Sequence, residues 1–99
     1  MLVLSGTNLE EDAIKQGIRQ IKRWIYASKQ DKNPGIALLH ANYAVGNIDM
    51  FLQMYHPTII MKYTKDDIYN LYRDATILQD EAQRRVLELC PKAGTHEIF

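Results

Sequence analysis

Three polar side chains near the middle of the chain are of the types that bind metals or transfer protons. Asp49, Gln53 and His56 are spaced by four and three residues, so on a helix they would form one line. Asp49 and His56 would be two turns apart, roughly 10 Å along the helix axis. That is too far for both to ligate one metal ion within a single chain. A metal-dependent enzyme would need two copies of this line to meet, and we keep it as one alternative.

The other reactive residues do not form a catalytic pattern. Cys90 ends the last predicted helix, where the negative end of the helix dipole disfavours a thiolate. Acidic residues after position 65 alternate with arginines, which is typical of a salt-bridged outer surface and not of a catalytic carboxylate pair. The five glycines are scattered, so there is no glycine-rich phosphate loop. We therefore expect a non-enzymatic protein without a cofactor or a metal.

Composition points to one domain with no overall charge. The 99 residues include 12 Lys and Arg against 12 Asp and Glu, so no net field attracts nucleic acid or an anionic membrane. A single cysteine is typical of a reducing compartment, and the apolar start Met1 to Leu4 is too short for a signal peptide. We expect a cytoplasmic protein. Residues 36–55 contain too many polar side chains for a membrane span.

Capping signals predict an all-α three-helix bundle over residues 1–99. A capping box from Thr7 to Glu10 predicts a first helix over about 8–30. Asn33 followed by Pro34 predicts the start of a second helix over 34–55, which Pro57 would end. A capping signal at Thr64 predicts a third helix over 65–89. For residues 58–63 the sequence is consistent with either a short extended piece or a turn of helix.

Apolar periodicity predicts which sides of the outer helices form the core. The first helix carries an isoleucine stripe, namely Ile14, Ile18, Ile21 and Ile25. The third helix carries apolar residues at intervals of three and four, namely Ile68, Leu71, Ala75, Leu78, Ala82, Val86 and Leu89. Both stripes would pack against the second helix.

The second helix is apolar on two opposite sides. Residues 33–61 carry one formal charge, Asp49, although the whole chain is 24% charged. At 100° per residue, one face contains Ala37, Ala41, Ala44, Ile48, Leu52 and Tyr55. The nearly opposite second face contains Ile36, Leu39, Tyr43, Gly46, Met50 and Met54. Two polar strips separate these faces; one is His40 and Asn47, and the other is Asn42, Asp49, Gln53 and His56.

The second face predicts association with a second copy or with another protein. A helix that is apolar on two sides needs more cover than two neighbouring helices supply. The expected contact residues are Ile36, Leu39, Tyr43, Met50 and Met54, with His40 and Asn47 fixing the orientation. The alternative is internal cover by Leu2, Val3 and Leu4 together with Ile59, Ile60 and Met61.

Basic residues on the first helix give a further alternative, a nucleic-acid-binding regulator. Lys15, Arg19, Lys22, Arg23 and Lys29 lie on one side of that helix with Tyr26 among them. The competing interpretation is an ordinary solvated helix surface, which the zero net charge favours. We do not expect nucleic acid or membrane as a partner; the expected partner is a second copy or another protein.

Overall fold

The computed structural model describes residues 6–89, which form four helices. They are α1 (Gly6–Gln30), α2 (Pro34–Met54), α3 (Pro57–Thr64) and α4 (Ile68–Leu89). The all-α prediction is confirmed. The described chain has four helices where the sequence predicted three, because the segment left open between extended and helical forms α3.

Helix α3 begins with a histidine cap and a proline. The Thr58 backbone N–H donates to Nδ1 of His56 at 3.2 Å, and Pro57 occupies the first helical position. The helix ends where Lys65 adopts a left-handed φ of 62° and its N–H bonds to the Met61 carbonyl at 3.0 Å. The sequence interpretation took Pro57 only as the end of the second helix, whereas it also starts the next one.

Three of the other predicted helix ends, at Gln30, Pro34 and Leu89, match the structure, and the remaining three differ by one to three residues. Asn33 caps α2 as expected, since its Oδ1 accepts from the backbone N–H of Gly35 at 2.9 Å. Helix α1 begins at Gly6, which places Thr7 inside the helix and not at its cap. Helix α4 begins at Ile68 and not at 65, because the Asp67 carboxylate takes the capping role and accepts from the Tyr69 N–H at 3.0 Å.

The core lies where α1, α2 and α4 meet, closed at one end by α3. The isoleucine stripe of α1 is buried as predicted, in one cluster with Ala44 and Ile48 of α2, and Ala37 and Ala41 of α2 are buried as well. Helix α3 adds Ile60, and α4 adds Ile68, Ala75 and Ala82. Of the predicted α4 stripe, Leu71 and Leu78 are partly buried, but Leu89 is 68% exposed at the last residue of the helix. Leu89 is therefore not part of the core.

Polar contacts fix α2 between its two neighbours. On the α1 side, the buried Ser28 hydroxyl donates to the Ala37 carbonyl at 2.8 Å. On the α4 side, the Gln79 amide donates to Asn42 Oδ1 at 2.6 Å, and the Arg85 guanidinium donates to the Lys32 carbonyl at 3.1 Å. Since residue 79 lies beside 42 and residue 85 beside 32, α4 runs antiparallel to α2. None of the helices described is both long and apolar enough to cross a membrane.

Candidate interaction surface on α2

One apolar face of α2 is buried in the fold and the other is exposed. Ala37, Ala41, Ala44 and Ile48 are at most 2% exposed. The predicted contact residues of the other face lie together along one side of the helix and are 43–60% exposed: Ile36, Leu39, Tyr43, Met50 and Met54. We call these five residues the exposed α2 face. No other described element of this chain covers it.

The segment considered as internal cover packs elsewhere. Helix α3 lies against α1 and α4, and Ile60 is fully buried in the core with the α1 isoleucines. Ile59 is also packed against that core, whereas Met61 is 45% exposed. Residues 58–63 therefore do not cover the exposed α2 face. The other proposed cover, Leu2, Val3 and Leu4, lies outside the described residues, as does Cys90.

Trp24 supports one edge of the face from α1. Its ring centroid is 5.0 Å from that of Tyr43 and 5.4 Å from that of His40, so the indole packs against both α2 side chains. Asn47 donates from Nδ2 to the Tyr43 carbonyl at 2.6 Å. These contacts hold Tyr43 at the border between the α1–α2 contact and solvent. The role predicted for His40 and Asn47 in orienting a partner stays a prediction.

Nδ1 of His40 is a buried ring nitrogen without a hydrogen-bond partner among residues 9–89. The imidazole itself is only partly buried and packs against Trp24. A buried polar atom without a partner lowers stability. His40 is therefore a polar group at the edge of the exposed α2 face whose Nδ1 forms no hydrogen bond to the described residues.

The second polar strip does not form a metal site in a single chain. Asn42 is bonded to Gln79, and Asp49 and Gln53 are exposed. His56 uses Nδ1 to cap α3, with the Thr58 hydroxyl 2.8 Å away. In the described part of the chain, no cluster of three His, Cys, Asp or Glu side chains is arranged to hold a metal ion. A metal site shared between two copies stays an untested alternative.

Helix α4 extends the uncharged surface, which the sequence interpretation missed. Tyr72 lies two turns before Gln79 on the same side of α4, so it lies beside α2. Tyr72 is 37% exposed and Tyr69 is 59% exposed. The uncharged residues on this side of α4 are Tyr69, Tyr72, Thr76, Gln79 and Gln83. Their period was visible in the sequence, but their position beside α2 was not.

The basic side of α1 is partly neutralised within the chain. Lys15 pairs with Glu11 at 2.8 Å, and Lys22 pairs with Asp66 of the α3–α4 connection at 2.8 Å. Two of the five basic residues proposed for nucleic-acid contact thus already have carboxylate partners. This reduces the local positive charge on which phosphate binding depends.

Searches with this chain against protein-family models, curated proteins and solved structures find no significant match. Function is therefore inferred from the geometry of the exposed α2 face. Its residues are apolar and lie along one helix. The bordering Asn42 and Asn47 already form hydrogen bonds within the chain.

Proposed function

We propose that this chain is a small non-enzymatic interaction protein, which self-associates or docks into a larger assembly through the exposed α2 face. The observation that carries the proposal is the contrast within α2. One apolar face is buried by α1 and α4, while five large apolar side chains on the other are 43–60% exposed. A continuous apolar surface of this kind in a small domain marks a site of protein contact.

The residue types support protein contact. Methionine is unbranched and polarisable, so Met50 and Met54 adapt to an irregular partner surface. Tyr43 combines a large apolar ring with a hydroxyl that can hydrogen-bond at the edge of an interface. Interface centres are poor in charged residues, and α2 has a single charge, Asp49, at the border of this face.

The test compares two aspartate substitutions at similarly exposed apolar positions. Met50 is 59% exposed on the face, and Ile77 is 49% exposed on α4, away from it and among Asn70, Arg73 and Arg84. The native size of tagged wild type, Met50→Asp and Ile77→Asp is measured by size exclusion, both in extract of the expressing cells and after purification.

The proposal predicts that wild type and Ile77→Asp elute above the monomer size in at least one of the two samples. Met50→Asp is expected to elute as a folded monomer in both, because a carboxylate in the contact would be buried without a partner. Monomeric wild type in both samples, or assembly that Met50→Asp leaves intact, would show that the exposed α2 face is not a contact surface.

A further inference from the structure

Gly46 lies halfway along the exposed α2 face, and no described residue packs against it. It is exposed, and a Cβ built at this position meets no atom within 4 Å. Glycine inside a helix is unfavourable relative to alanine by roughly 0.5–1 kcal/mol. Gly17 gives the contrast, since a Cβ there would overlap the Phe51 ring. Gly17 permits a close contact between α1 and α2, whereas no described residue uses the space above Gly46.

Two pairs of large side chains on the face are centred between Gly46 and Asn47. Tyr43 lies three residues before it and Met50 four residues after it, and Leu39 and Met54 lie seven residues before and eight after. A two-fold axis at Gly46 and perpendicular to the helix brings Tyr43 of each copy against Met50 of the other. A two-fold contact is self-complementary in this sense, with residue i on j and j on i.

We infer that the occupant of this face is a second copy of the chain, with the two α2 helices crossing antiparallel at Gly46. The inference rests on the proposed function and specifies its partner. The missing side chain at Gly46 lets the two backbones approach closely. Next to this crossing, the Tyr43 ring and the Met50 thioether form a sulfur–aromatic contact on each side. Leu39 and Met54 extend the contact toward the helix ends.

The antiparallel orientation also accommodates the one charge near the contact. Asp49 and Asn42 lie on the same flank of α2, three residues after and four residues before Gly46. In an antiparallel pair, Asp49 of one copy therefore lies opposite Asn42 of the other. The Asn42 Oδ1 already accepts from Gln79, so its amide N–H₂ is oriented by that bond and can donate to the carboxylate.

The available area is sufficient for a dimer. A side chain of this size that is about half exposed offers on the order of 100 Å², so the five residues of the face with Tyr69 and Tyr72 offer roughly 700 Å² per copy. A standard interface buries about 800 Å² per partner. A second copy can thus cover this surface without a further protein.

The first test uses Gly46→Leu, with Gln16→Leu as its control on the exposed side of α1. No described atom lies near Gly46, so at a protein concentration low enough to keep both proteins monomeric the variant is expected to fold with a thermal midpoint at or above that of wild type. Its dimer dissociation constant, measured by sedimentation equilibrium, is expected to rise at least tenfold. Gln16→Leu leaves the constant within twofold. An unchanged dissociation constant for folded Gly46→Leu would overturn the crossing at Gly46.

The second test determines the orientation by disulfide trapping in a Cys90→Ser background. An antiparallel pair forms an intermolecular disulfide when the Tyr43→Cys and Met50→Cys proteins are mixed. Each variant alone forms little disulfide-linked dimer. Efficient cross-linking of each variant with itself would instead show a parallel pair.

Purified wild type that is monomeric at every concentration would overturn the second copy as partner. The proposed function is then judged separately, from the Met50-dependent complex in extract. If wild type forms no such complex in extract either, both proposals are wrong. If the complex is present there, only the second copy as partner is wrong.

Discussion

The two faces of α2 share one backbone and a similar apolar character, yet they differ in side-chain size. The buried face is built on Ala37, Ala41 and Ala44, which let α1 and α4 pack close to the helix axis. The exposed face carries Tyr43, Met50 and Met54, which are larger and, for the methionines, flexible. Small residues are typical of contacts whose geometry the fold itself fixes, and adaptable ones are typical of surfaces that associate. Side-chain size thus separates the alanine-rich first half of the buried face from the exposed face, whereas Ile48 on the buried face is of the same type as the exposed Ile36.

The largest expected effect comes from placing the same charge on each face. Ile48 is fully buried and Met50 is 59% exposed, two residues apart on one helix. Ile48→Asp should lower the free energy of unfolding by about 4 kcal/mol or more, since it removes core packing and buries a carboxylate without a partner. Met50→Asp should change it by less than about 1 kcal/mol in the monomer. Urea denaturation at low protein concentration measures both.

Similar losses for these two variants would mean that Met50 belongs to the core of the monomer. The contrast between the faces would then be wrong, and so would the proposal that rests on it.

The two helical glycines give the next comparison. In Gly17→Ala the new methyl group overlaps the Phe51 ring, so the ring must move and stability should fall by about 1–2 kcal/mol. In Gly46→Ala nothing lies within 4 Å, so the monomer should gain up to about 1 kcal/mol from helix propensity. The thermal midpoints of the two variants should therefore shift in opposite directions from that of wild type. A stabilised Gly17→Ala protein would show that α1 and α2 pack less tightly there.

Two hydrogen bonds of α2 allow a smaller comparison. Ser28 is 4% exposed and donates to the Ala37 carbonyl, so Ser28→Ala should cost about 1 kcal/mol. The bond between Asn42 and Gln79 is exposed, so Asn42→Ala should change the stability of the monomer by less than about 0.5 kcal/mol. Chemical denaturation compares the variants, and a larger loss for Asn42→Ala would contradict the assigned burial.

Much of the core could be predicted because its signals are local. The α1 isoleucines and the small face of α2 follow helical periodicity, and Asn33 with Pro34 marks a helix start by chain stereochemistry alone. The exposed α2 face was likewise predicted as a second apolar side. The sequence favoured association through this face over internal cover, and only the fold shows that Ile60, one of the proposed cover residues, lies in the core.

The sequence did not reveal features that depend on which of two capping residues starts a helix, or on how the helices pack together. His56 is not among the preferred capping residues, so the start of α3 carried a weak signal. Thr64 and Asp67 are both of residue types that cap helices. Because Lys65 between them has a left-handed backbone, α4 begins after it and is capped by Asp67. Tyr69 and Tyr72 join the candidate surface only because α4 lies antiparallel beside α2, which no local pattern encodes.

The most direct test of the central claim is light scattering coupled to size exclusion, over a wide concentration range, for purified wild type, Met50→Asp and Ile77→Asp. The exposed α2 face as a self-association surface predicts a mass of twice 11.5 kDa for wild type and Ile77→Asp, and 11.5 kDa for folded Met50→Asp. Wild type that stays at 11.5 kDa at every concentration, or a dimer that Met50→Asp leaves intact, would contradict it.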